Sequence, residues 1–232
     1  MADCLVIAVD GPSGSGKSSA ARGAAKELGI RYLDTGAMYR ALTWWLLARE
    51  IDVTDAATVA ASAARPAIEV GIDPEAPFVT VDGTDVSGPI RGRPVSNVVS
   101  AVAAIPAVRV HLIAQQREII AKACAEAGGI VAEGRDIGTV VAPDAVVKVF
   151  LTASESARAS RRAADLAADP AATVELTRAE QARRDRLDAA QSERAAGAVP
   201  IDSTGLGVAE VISRIVALAQ ERTAGAGDRW TS

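Results

Sequence analysis

The sequence predicts an α/β fold in which helices cover both faces of a parallel sheet. Three observations carry this expectation. Continuous apolar runs at 5–9, 130–132 and 146–151 suit strands buried on both faces. Helical patterns separate those runs, as crossover connections require. A glycine-rich loop, Gly11-Pro12-Ser13-Gly14-Ser15-Gly16-Lys17-Ser18, joins the first run to the first helical pattern.

The elements follow in order. A strand over 5–9 leads through the loop into a helix over 18–28, which Gly29 closes with a C-terminal glycine signal. A weaker strand over 31–34 precedes a second helix over 39–48. Between about 68 and 93 the chain alternates instead. Ile68, Val70 and Ile72 interleave with Glu69 and Gly71, and Phe78-Val79-Thr80-Val81 runs into Asp82-Gly83. That is hairpin chemistry, so a small antiparallel insert is expected. A long helix over 107–127 starts after Pro106 and stops before Gly128-Gly129. A weak strand over 198–202 comes before a helix over 208–219, whose stripe is Val208, Val211, Ile212, Ile215 and Ala219. The tail 223–232 is Gly-rich and polar and is expected to fray.

The region 154–194 carries eight arginines, eight acids and no lysine. It reads either as a solvated helix pair laced with charge pairs or as a cover over an anionic ligand.

Composition narrows the function classes. The 232 residues, 49% hydrophobic and 23% charged, suit one domain with a packed core. A net charge of −4 and 3% aromatic content disfavour a nucleic-acid role. One histidine, His111, excludes a multi-His metal centre and leaves one candidate for a Ser-His-Asp triad; it is expected to pack on the long helix without catalytic duty. Trp44, Trp45 and Trp230 read as packing or tail residues. Cys4 and Cys124 are too few for a disulfide scaffold or CxxC metal site and are expected as small apolar side chains in a reducing compartment. No 18-residue apolar run exists, and no basic segment precedes a signal core, so a soluble cytoplasmic monomer without a membrane partner is expected.

The loop fits G-x-x-x-x-G-K-[ST], and it stands between a buried strand and a helix, the context that motif needs. Gly11, Pro12, Ser13, Gly14, Ser15, Gly16, Lys17, Ser18 and Ser19 would cradle ATP. Successive N–H groups turn inward around phosphate oxygens, and the helix presents its positive end. Lys17 adds a charge near the transferred phosphate, and the Ser18 hydroxyl can ligate Mg²⁺.

Two further segments narrow the acceptor. Asp34-Thr35-Gly36-Ala37-Met38-Tyr39-Arg40 follows the second strand, and Glu133-Gly134-Arg135-Asp136-Ile137-Gly138-Thr139-Val140-Val141 follows the third. In a parallel sheet both lie at the carboxyl edge, where ligands bind. Two guanidinium forks aimed at one place would hold a second phosphate. Glu133 reads equally as a water-mediated Mg²⁺ contact or as a cap or ion-pair residue; Asp34 has the same two readings, with the functional one favoured.

With those motifs, and with Asp-Val-Ser-Gly-Pro-Ile-Arg at 85–91 and the segment 100–109, the chain resembles the bacterial cytidylate kinases. The similarity runs from about 5 to 188, with Asp202-Ser203-Thr204. The resemblance implies a P-loop NTPase core with a five-stranded parallel sheet. It also implies a monophosphate-binding β insert over 62–96 and a helical lid over 154–194, within a single domain spanning 1–232. It implies transfer of the γ-phosphate of ATP to CMP or dCMP, with Mg²⁺. Thr35, Arg109 and Asp136 match cytosine-recognition positions; Arg40 and Arg135 match the acceptor-phosphate clamp. Ser100, Arg184 and Asp188 match sugar contacts. Arg158, Arg161 and Arg162 match lid arginines near the ATP phosphates, so Lys17, Arg40, Arg135, Arg158 and Arg162 are the expected catalytic set.

The chain departs from the family at one place. Gln191 stands where the family places an arginine, three residues after Asp188, and Arg194 follows three further on. Either Arg194 reaches in, or one acceptor contact is missing. Two other readings stand beside the family's: a phosphate-loop kinase of a different small acceptor, and a nucleotide-binding scaffold with a decayed lid.

Overall fold

The computed structural model describes residues 4–165 and 174–227. Its main sheet has five parallel strands in the order β2-β6-β1-β7-β8. These are β1 (Leu5–Asp10), β2 (Arg31–Asp34), β6 (Gly129–Gly134), β7 (Val147–Thr152) and β8 (Val199–Asp202). A second, antiparallel sheet joins β3 (Ile68–Val70), β4 (Val79–Val81) and β5 (Thr84–Asp85) around the Asp82-Gly83 turn. The helices are α1 (Lys17–Leu28), α2 (Thr35–Ala48), α3 (Ala56–Ser62), α4 (Arg93–Ala103), α5 (Pro106–Ala127), α6 (Glu155–Asp165), α7 (Val174–Asp188) and α8 (Val208–Gly227).

Both sheet faces are buried, which explains the unbroken apolar runs. Ile7 and Val9 pack with Val131, Val147 and Val149 against α1 and α8. Ala8, Leu33, Ile130 and Ala132 pack against α2, α5 and the small sheet. The α1–α8 approach is close: a Cβ at Gly23 would lie 2.2 Å from the Ile212 side chain.

Parallel register brings the strand ends to one level. Asp10 pairs with Gly134, and Asp34 with Glu133. The loops after β1, β2 and β6 therefore meet at the carboxyl edge. Asp10 locks two of them. Buried there, it accepts hydrogen bonds from the Ile137 and Gly138 amides, both at 2.8 Å. Burial raises its pKa even though both bonds favour the charged form.

Several expectations change. The two cysteines are not separate apolar side chains: Cys4 and Cys124 form a disulfide with their Cα atoms 5.3 Å apart. Register is the cause. Leu5 pairs with Gly129 and its N–H donates to the Gly128 carbonyl, so Cys4 comes down beside the last turn of α5. Residues 223–227, expected to fray, continue α8. Helices α3 and α4 had no sequence assignment. Trp230 and the tail 228–232 lie outside the described residues, as do 166–173 of the lid region. Among the described residues no single helix is long and apolar enough to cross a membrane.

Candidate active site

The loop after β1 is built by backbone conformation. Gly11, Gly14 and Gly16 have φ of 148°, 77° and 89°, in the left-handed region that side chains disfavour. At Gly11 space is also decisive, because a Cβ there would stand 2.0 Å from the Leu151 carbonyl oxygen. Ser15 is fully buried and its hydroxyl donates to the Pro12 carbonyl at 3.0 Å, closing the loop from within.

Lys17 is buried, and its ammonium donates to the Pro12 carbonyl at 2.8 Å. Burial lowers its pKa to about 7, and Arg135 pushes the same way. Glu133 shows the converse: burial, then the neighbouring Asp34 charge, raise it to about 7. The Tyr32 hydroxyl donates to Glu133 at 2.5 Å. Such a lysine lacks a full counter-charge and is matched to an incoming phosphate.

A cavity of about 240 Å³ opens in front of the loop. Ser13, Gly14, Gly16, Lys17, Ser18 and Ser19 face it from one side. Thr35, Arg40, Ser100, Arg109, Arg135, Asp136, Arg162, Arg184 and Asp188 face it from the other. Ser13 and Asp188, 175 positions apart in the chain, thus share one space.

Its middle is a cluster of guanidinium groups. Arg40 donates to the Ile90 carbonyl and the Ser96 hydroxyl, both at 3.0 Å. Burial lowers its pKa to about 9, helped by the Arg184 and Arg162 charges. Arg184 is lowered to about 10, by burial and then by Arg135. Its Nε is buried with no hydrogen-bond partner. Like charges brought this close form a site for an anion, although Asp34 and Asp188 offset part of the charge.

The far end can read a base. Arg109 and Asp136 form a close ion pair. The Thr35 hydroxyl donates to the Glu133 carbonyl at 2.7 Å and orients that residue. The Ser100 and Tyr39 oxygens are buried without a partner, which leaves two polar atoms for a ligand. Burial raises the Tyr39 pKa, so its hydroxyl stays protonated.

The helices α6 and α7 close over the loop. Arg135 bonds Asp188 at 3.1 Å and the Gly11 carbonyl at 2.9 Å. Arg158 bonds Asp185 at 2.6 Å and the Ser13 carbonyl at 3.1 Å. It does not line the cavity, because its charge is already answered by Asp185 behind the loop. Arg161 donates to the Ser15 carbonyl and to Ser203, tying the end of β8 to the loop. Gln191 lines the cavity, whereas Arg194 is exposed and does not, so Arg194 does not fill the family arginine's place.

Sequence reasoning missed Tyr39, Arg91 and Gln191 as lining residues. It also missed Asp185. Asp34 turns out to serve locally: it caps α2 by accepting from the Ala37 amide at 3.0 Å, and pairs with Arg91 at 3.3 Å. His111 sits part-buried on α5 and does not line the cavity.

Among the described residues no cluster of three or more His, Cys, Asp or Glu forms a cation cage. The cavity instead offers the Ser18 hydroxyl with Asp34 and Glu133. A hydroxyl and one or two carboxylates, completed by phosphate oxygens, is the donor set Mg²⁺ takes.

The family model described as cytidylate kinase matches residues 7–221. A cytidylate kinase of Streptomyces coelicolor is 48% identical over 228 residues, covering 97% of this chain and 96% of the relative. One of Streptomyces avermitilis is 47% identical over 224 residues, covering 95% and 94%. Among solved structures, a gluconokinase from Sinorhizobium meliloti superposes with a TM-score of 0.53 at 15% identity, covering 99% of each chain. That likeness concerns the fold alone.

Proposed function

We propose, from the premise that this chain belongs to the cytidylate kinase family, that its cavity transfers the γ-phosphate of ATP to CMP or dCMP, giving ADP and CDP or dCDP. The observation that carries this reading is that Arg40 and Arg184, desolvated and set among other arginines, stand across one cavity from the phosphate loop.

The attacking group is a phosphate oxygen of the acceptor, already an anion. No nucleophilic side chain and no strong general base is required, and no histidine lines the cavity. Positioning and charge neutralisation are the tasks. The loop amides and Lys17 hold the donor. Arg40 and Arg135 clamp the acceptor phosphate in line with it. Arg162, which lines the cavity from α6, answers charge on the transferred group. Arg158 acts one step back, through its bond to the Ser13 carbonyl.

Asp136 accepts from the exocyclic amine of cytosine; uracil presents a carbonyl there and is repelled. Arg109 orients that carboxylate, and Thr35 completes the base end. Ser100, Arg184 and Asp188 face the sugar. The Ser18 hydroxyl, with the Asp34 and Glu133 carboxylates close by, would hold Mg²⁺, which would supply charge neutralisation at the phosphates when bound. The segment 62–96 serves as the acceptor-side insert, and 154–194 as a lid that keeps water out.

ADP release measured with CMP, dCMP, UMP and AMP tests this. Fastest turnover with CMP or dCMP is expected. Fastest turnover with UMP or AMP overturns the assigned specificity.

A further inference from the structure

Glu133 lies near the end of β6 and lines the catalytic cavity, whereas Tyr32 does not line it. The two are 101 positions apart and meet through strand register. Tyr32 pairs with Val131, and Asp34 with Glu133. Alternation along each strand puts all four on one sheet face. Tyr32 and Val131 pack there with Ala20 and Ala21 of α1. Tyr32 thus stands one same-face pair behind Glu133. Its hydroxyl reaches forward to the Glu133 Oε1 at 2.5 Å, in a buried hydrogen bond.

The direction of that bond is fixed. A phenol hydroxyl donates at neutral pH, and a carboxylate only accepts. Glu133 is also held from its main chain, because the Thr35 hydroxyl donates to its carbonyl at 2.7 Å. Lys17, which lines the same cavity, directs its ammonium to the Pro12 carbonyl at 2.8 Å. The carboxylate is thereby held by a neutral hydroxyl, and the charge of the lysine is kept for phosphate.

We propose that Tyr32 is a positioning residue that holds the Glu133 carboxylate ready for the Mg²⁺ accompanying ATP. This rests on the reading of the cavity given above, in which Ser18, Asp34 and Glu133 are the metal's protein donors. Groups that hydrogen-bond a metal-binding carboxylate fix its orientation, and losing one costs about 10–100-fold in metal affinity or activity. The competing account is that the hydroxyl only satisfies a buried acid. The two accounts part over the metal. A hydroxyl that only satisfies a buried acid changes stability and leaves the metal's grip alone, whereas a positioning hydroxyl changes that grip.

The probe is Mg²⁺ itself, read without catalysis. Binding of a non-hydrolysable ATP analogue is measured by isothermal titration in saturating Mg²⁺ and again in EDTA. The ratio of the two affinities reports how much the protein adds to the metal's hold in the complex. Tyr32→Phe should lower that ratio by about tenfold and leave the affinity in EDTA unchanged. Glu133→Gln should lower it as well. The double variant should lose no more than Glu133→Gln alone, because Tyr32 acts only through Glu133. That variant no longer buries the carboxylate, so it decides the same point if Tyr32→Phe fails to fold. An unchanged ratio in Tyr32→Phe, an equal loss of affinity with and without Mg²⁺, or a further loss in the double variant overturns the proposal. So does a ratio of one in wild type, because the protein then adds nothing to the metal. CMP is absent from these titrations. Failure of CMP turnover therefore overturns the catalytic reading instead, and the titrations still decide Tyr32.

Discussion

Reducing the Cys4–Cys124 bond should soften the whole fold and leave catalysis alone. The bond closes a loop of 120 residues. In the chain-entropy treatment, removing such a constraint from the unfolded chain's ensemble costs about 5 kcal/mol of stability at 25 °C. Unfolding entropy of about 2.1 cal/mol/K per residue gives roughly 0.5 kcal/mol/K for a chain this long. Tm should therefore fall by roughly 10 °C. The bond sits at the entry to β1, and the phosphate loop leaves its other end. Six residues at about 3.3 Å each put roughly 20 Å between them. Turnover at 25 °C should thus be equal with and without reductant. Thermal melts of wild type with and without a phosphine reductant, beside Cys4→Ala and Cys124→Ala, measure the shift. Thiol titration of the untreated protein counts free cysteines. An unchanged Tm together with two free thiols refutes the bond. A drop in turnover on reduction, with the protein still folded, refutes the mechanical separation of staple and site.

Four further outcomes are expected. Lys17→Met should lower kcat by several orders of magnitude with the far-ultraviolet circular dichroism unchanged, because the donor phosphate loses its buried counter-charge. Arg40→Ala should cost about 1.5–3 kcal/mol in kcat/KM for CMP, the worth of a charged hydrogen bond, while KM for ATP stays within about twofold. Asp136→Asn should narrow the preference for CMP over UMP by about 1–3 kcal/mol, read as a ratio of kcat/KM values. The last concerns pH. Lys17 is lowered to about 7, so ligand-free enzyme loses that proton as pH rises through about 7, and ATP affinity should fall in that window. Glu133 opposes the shift, so in Glu133→Gln the fall should begin at lower pH; isothermal titration across pH 6–9 checks the direction.

The sequence made the donor half legible because its chemistry is local. A strand, a glycine loop and a helix lie side by side in the chain, and each glycine has a job there. The Arg109–Asp136 pair, proposed to read the base, was harder. Arg109 and Asp136 are 27 residues apart, and only the β6–α5 packing brings them together. Helix α4 did carry a signal in Val95, Val99 and Val102 at helical spacing, but Pro94 and a run of small residues obscured it. The disulfide carried none. Its partners are 120 residues apart, and only the Leu5–Gly129 register makes them neighbours. The placement of Arg158 was not legible either: a cluster of arginines says that anions are near, but not which members pair with an acid such as Asp185.

One carboxylate gives the molecule a common datum. Asp10 ends the strand that launches the donor loop, and it also grips the peptide just after Arg135 and Asp136. Changes to the helices around the base can therefore alter which nucleotide is admitted while the spacing between the two phosphates is held elsewhere. Redesign of acceptor choice and preservation of rate become separable problems, with Asp10 the position to leave untouched.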